Sequence, residues 1–257
     1  MSKISKRLTK LGQTERSGFG FGARATSTKV PVILIGISIK KASDAANVDA
    51  DLFILGADSK GAAQATAVND AEIWGVSVSG GSATDIDAAV EAGADFIVVE
   101  SESAPGAALR DDDTGKGFVV PTDVTEDRSK AIEASLFEFL ILDGTDLNIP
   151  LKVGVVLDIQ EQLSRYSCHI FLRVTAVPDQ INLELLRDIG ISALIYDGEA
   201  ICNEDLSSLR KIIDMLEPKK QKSSAGATIP PAGESSAVRD EDDDLDHDHD
   251  LDDDDWD

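Results

Sequence analysis

Short apolar, β-branched runs recur along this chain at intervals of about twenty residues, and that recurrence limits the fold more than any other feature. Nine runs stand out: Val32–Ile37, Leu52–Leu55, Ile73–Val78, Phe96–Val99, Phe118–Val120, Phe139–Leu142, Val153–Leu157, Ile170–Val174 and Ala193–Tyr196. The seventh follows the sixth too closely. Only Asp143 to Leu151 separates them, whereas a parallel crossover needs about a dozen residues. Read as a helix, the segment fits better. Pro150 precedes it, as suits a helix start, and Val153, Val156, Leu157, Leu163 and Tyr166 fall near one face. The spacing therefore predicts a helix over Val153–Tyr166 and eight strands.

The gaps carry helix signals of their own. Ser82 and Asp85 have capping-box spacing ahead of Ile86, Ala89 and Val90. Asp179 can cap a helix carrying Ile181, Leu185 and Ile189, which Gly190 would end. Leu206, Leu209, Ile213 and Leu216 mark a last helix before Pro218. The strands are apolar on both faces, as in a parallel sheet covered by helices. The fold class is therefore α/β, a single (β/α)8 TIM-type barrel over residues 30–217, with a doubly wound open sheet as the alternative.

Two stretches, VEAGADFIVVE (Val90–Glu100) and LRDIGISALIYDG (Leu186–Gly198), resemble the helix-to-strand units of aldolase-type barrels. The resemblance spans residues 30 to 217 as an architecture. It implies a fold and no particular reaction.

Charge is distributed unevenly. The formal net charge is -24, and about half of that excess lies in the aspartate run Asp240–Asp257. Such a run buries nothing and is expected to be a disordered tail, joined by a flexible Lys/Ser/Ala/Pro/Gly linker over 218–239. Residues 1–29 read as a basic N-terminal extension, with Ile4, Leu8 and Leu11 at helical spacing. The overall acidity argues against nucleic acid as a partner. No run of eighteen apolar residues is present to span a membrane. Cys168 and Cys202 form no metal spacing and read as small buried residues, and a cytoplasmic location is expected.

In barrels, chemistry sits at the carboxyl ends of the strands. The residues expected there are Ser38, Asp58, Ser79, Glu100, Asp123, Asp143, Arg173 and Asp197, with Arg173 as the lone cation. Neither lysine nor histidine is expected in such a position, which disfavours a Schiff-base mechanism. The loops after the last two strands do not form the usual phosphate cup. Thr175–Pro178 lacks glycine, and Glu199, Glu204 and Asp205 crowd the final helix start.

Two functional readings follow. One is a barrel with a binding or assembly role, its acidic tail docking a basic protein partner through Trp256. The other is a lyase acting on a small oxo-acid, with Glu100, Asp123 and Asp143 holding Mg²⁺ and Arg173 as a catalytic clamp on the substrate carboxylate. Ser101–Lys116 is long enough to serve as a lid or as a plain surface excursion.

Overall fold

A computed structural model describes residues 1–17, 26–45, 48–56, 73–110 and 113–219. Asp58, the three glycines of 18–22, the 220–239 part of the linker, the aspartate run and Trp256 lie outside the described residues. The first compact unit runs from Met1 to Lys219.

The eight expected strands close into a parallel barrel. In chain order, after a small hairpin of β1 (Thr14–Ser17) and β2 (Thr26–Lys29), they are β3 (Leu34–Ile39), β4 (Leu52–Leu55), β5 (Trp74–Val78), β6 (Phe96–Val99), β7 (Gly115–Val119), β8 (Phe139–Asp143), β9 (His169–Arg173) and β10 (Ile191–Asp197). Each strand pairs with its sequence neighbour, and β10 closes the ring on β3 with Ala193 opposite Leu34 and Asp197 opposite Ser38. Closure excludes the open-sheet alternative.

The helices are α1 (Lys3–Thr9), α2 (Ala83–Glu91), α3 (Glu126–Glu133), α4 (Val153–Leu163), α5 (Gln180–Ile189) and α6 (Asn203–Met215). The capping box of Ser82 and Asp85 forms on α2, Asp179 caps α5, and Gly190 ends it at φ 110°. The run Val153–Leu157 is helical, as its spacing requires. Its inward face differs from expectation: Ile159 is buried, whereas Val153 and Leu157 are exposed.

Side-chain alternation divides the core into two apolar layers. Outward residues such as Ile35, Phe53, Ile97, Leu140, Leu172 and Leu194 meet the helices. Inward residues such as Leu34, Ile54, Phe96, Phe139, Phe171 and Ile195 fill the barrel. Three phenylalanines occupy its centre. Phe139 stacks on Phe171 at 4.4 Å and meets Phe96 edge-on at 5.7 Å. Glycines on neighbouring strands make room for them. A Cβ on Gly75 would lie 2.3 Å from the Phe96 carbonyl oxygen, and one on Gly117 would lie 2.3 Å from the Phe139 ring.

The lower, amino-terminal mouth is closed by α1. Ile4 and Leu8 are fully buried and join the inward layer. Asp95, just before β6, accepts hydrogen bonds from the Lys3 and Ile4 amides at 2.7 Å each, so a carboxylate sits on the helix's positive end. Asp51, just before β4, pairs with Arg7 at 3.6 Å and Arg210 at 2.8 Å. The basic stretch at the N-terminus is therefore a plug that sets charges against the acidic lower rim.

Tyr196 is 1% exposed on the outer face of β10, and its hydroxyl has no hydrogen-bond partner among the described residues. An unpaired buried hydroxyl costs about 1–3 kcal/mol. Tyr196→Phe is therefore expected to raise the thermal midpoint by about 2–4 °C, measured by calorimetry. A lowered midpoint would mean that the hydroxyl is paired in solution.

Candidate active site

The upper, carboxyl-end mouth is built from the last inward positions of the strands. Glu100 follows β6 and Arg173 ends β9, and they meet across the mouth. The Arg173 guanidinium donates to the two Glu100 carboxylate oxygens at 3.2 and 3.4 Å. Both side chains are about three-quarters covered, at 30% and 25% exposure, so this pair is only partly solvated.

The other carboxylates have separate surroundings. Asp143, opposite Arg173 in register, is exposed and accepts from the amide and hydroxyl of Thr145 at 3.1 and 2.8 Å. It organises the turn that follows β8. Asp123 is exposed in the loop before Thr125, which caps α3. Asp197 accepts from the Glu199 amide at 3.0 Å. The structure thus brings Glu100 and Arg173 together but does not gather Glu100, Asp123 and Asp143. Among the described residues, no group of three His, Cys, Asp or Glu side chains is placed to hold a metal ion. The physical reason is local. Arg173 holds Glu100, Thr145 holds Asp143, and Asp123 sits beyond its strand rather than on it.

One upper-rim residue escaped the sequence reading. β3 continues through Ser38 and Ile39, two residues past its expected end, and this carries Lys40 to the strand's carboxyl end. Arg173 is therefore not the lone cation there. Lys40 donates to Glu199 at 2.6 Å, and that hydrogen bond and charge raise its pKa. Lys40 is thus held as an ammonium, the unreactive form for Schiff-base chemistry. Apolar Ile39, two residues beyond Ile37, was the available signal for the longer strand.

Four further titratable residues lie in or beside the barrel strands and α6. Lys116 lies inside β7, which begins at Gly115, and it is buried and donates to the Thr114 carbonyl at 2.7 Å. Cys202 is exposed rather than buried, and its sulfur caps α6 by accepting from the Asp205 amide. Burial pushes the Cys168 thiol up to about 11, so it stays protonated at neutral pH. His169 opens β9 at the lower end, half-buried against Ser192, with its pKa lowered by burial.

Glu204 and Asp205 occupy the first turn of α6, where a barrel's phosphate would otherwise meet helix amides. Asp179 already accepts from the Asn182 amide at the start of α5.

No protein-family model matches the chain, and no curated protein matches it in sequence. Solved structures do match in shape. KGPDC from Streptococcus mutans superposes with a TM-score of 0.55 at 12% identity, covering 71% of this chain and 97% of that one. A tryptophan synthase α-subunit from Pyrococcus furiosus gives 0.54 at 13% identity, covering 72% and 97%. Thiamine phosphate pyrophosphorylase from Pyrococcus furiosus gives 0.52 at 11% identity, covering 71% and 95%. At such identities the likeness concerns architecture alone, and by architecture the chain is a (β/α)8 barrel.

Proposed function

We propose that this barrel serves binding or assembly rather than standard barrel catalysis, and that it works in the cytoplasm. The observation that carries the reading is the charge pairing at the upper mouth. Arg173 is held by Glu100 and both side chains are about three-quarters covered, so the cation on the mouth's inner face already has an internal carboxylate partner. The acidic residues on α6 disfavour phosphate as well. The aspartate run is read as a docking segment for a basic protein surface, with Trp256 as its aromatic anchor. No nucleic acid or membrane partner is invoked.

The test is a thermal-shift titration of the full chain with Mg²⁺, pyruvate and oxaloacetate. A ligand that binds only the folded state adds about 2.7 kcal/mol of stability at a hundred times its Kd and so raises the midpoint. The expected result is no saturable shift. A saturable rise that disappears in Arg173→Gln would restore a lyase-type site in which Mg²⁺ supplies charge stabilisation.

A further inference from the structure

The helical jacket around the barrel has a thin place. From β5 to β10, every strand except β6 is followed by an α-helix. After β6 the described residues make only a four-residue 3-10 turn, Gly106–Leu109. Four residues at about 2 Å each cannot cover the strand faces that a three-turn helix would cover. A cavity of about 250 Å³ remains on the barrel's flank.

Its wall is apolar and formed by ordered elements. Val99 and Phe118 come from the outer faces of β6 and β7, Ala108 from the 3-10 turn, and Ile132 from α3. Phe137 stacks on Phe118 at 5.1 Å and completes it. The strap over the cavity is fastened at both ends. Ser101 and Ser103 each donate to the Ser79 carbonyl at 2.8 Å, and Arg110 pairs with Asp87 on α2. The space is therefore held open by the fold rather than by its own contents.

Among the described residues, a single cation lines this cavity, Arg128 on α3. Its Nε and Nη2 both approach one Glu102 oxygen, at 2.8 and 2.7 Å. Both side chains are about half exposed, so this pair is weakly held and exchangeable. An apolar chamber with one guanidinium, already poised on a carboxylate, has the chemistry of a site for an amphipathic acid. An apolar cavity of about 150 Å³ holds benzene, so this one has room for a bicyclic ring or an alkyl chain of roughly eight carbons.

We propose that the flank cavity binds a small organic carboxylate. Its apolar body lies against Phe118, Phe137 and Ile132, and its carboxylate takes the place of Glu102 on Arg128. The site shares no residue with the upper mouth, so it stands or falls independently of the function proposed above.

Calorimetric titration of the full chain with straight-chain carboxylates, hexanoate to decanoate, tests this. Affinity should rise about fourfold per added CH₂ until the cavity is full. Arg128→Gln should weaken octanoate about tenfold and leave octan-1-ol unchanged. Arg128 is half exposed on α3, so this substitution does not threaten the fold. Ala131→Phe, which places a ring at an exposed lining position, should abolish binding of both probes. Absence of octanoate binding to the unaltered chain would overturn the proposal. Octanoate affinity unaffected by either substitution would overturn it as well, because the ligand would then lie elsewhere. Equal affinity for octanoate and octan-1-ol would overturn the assignment of a carboxylate.

Discussion

Gly75→Ala is expected to cost about 3 kcal/mol or more, and Gly117→Ala somewhat less, although each adds one methyl group. The added Cβ at position 75 would meet the Phe96 carbonyl oxygen at 2.3 Å, and Gly75 pairs with Phe96 in the ladder. Relief would require the β5–β6 pairing to open, and in a closed barrel that strain spreads to both flanking strands. At position 117 the collision is with the Phe139 ring, which belongs to the central aromatic stack. A smaller partner should therefore relieve it. Urea denaturation of Gly117→Ala, Phe139→Leu and the double variant measures this directly. The double variant should lose less than the sum of the single losses, with a coupling of about 1 kcal/mol or more. Strict additivity would show that the phenylalanines do not sit over the glycines.

The plug predicts the second large effect. Ile4→Ala and Leu8→Ala should each cost about 2–5 kcal/mol, as buried residues in a core do, although both lie within nine residues of the N-terminus. Lys6→Ala, on the exposed side of the same helix, should stay within about 0.5 kcal/mol. Asp95→Ala should fall between them, because it leaves two helix amides without their carboxylate. Thermal unfolding of the four variants ranks the effects. A flat series would mean that α1 is a surface appendage and that the barrel closes its lower mouth without it.

These two features differ in how far the sequence announced them. The eight strands are legible because a parallel sheet under helices needs unbroken apolar runs, and those runs survive in Leu52–Leu55, Phe96–Val99 and Phe139–Leu142. The start of β7 is hidden because Gly115, Lys116 and Gly117 carry no strand signal. They are chosen for space, with Gly115 giving way to Ile4 and Gly117 to Phe139. The amphipathic spacing of Ile4 and Leu8 is visible in the sequence, but its target, the barrel floor, exists only once the ring has closed.

At the site, strand-end parity correctly places Glu100 and Arg173 at the mouth. Parity says nothing about which side chains pair across it. A mouth that could have been three carboxylates around a cation is instead two ion pairs and two exposed turn aspartates. Lys40 was missed through an error of two residues in one strand end, which is enough to move a cation onto the rim.

The proposed loss of standard chemistry is tested most directly by oxaloacetate turnover with Mg²⁺ present, comparing the full chain with Glu100→Gln and Arg173→Gln. The account predicts that all three proteins leave the rate at the level set by Mg²⁺ alone. A saturable, protein-dependent rate that falls on replacing Arg173 would contradict it.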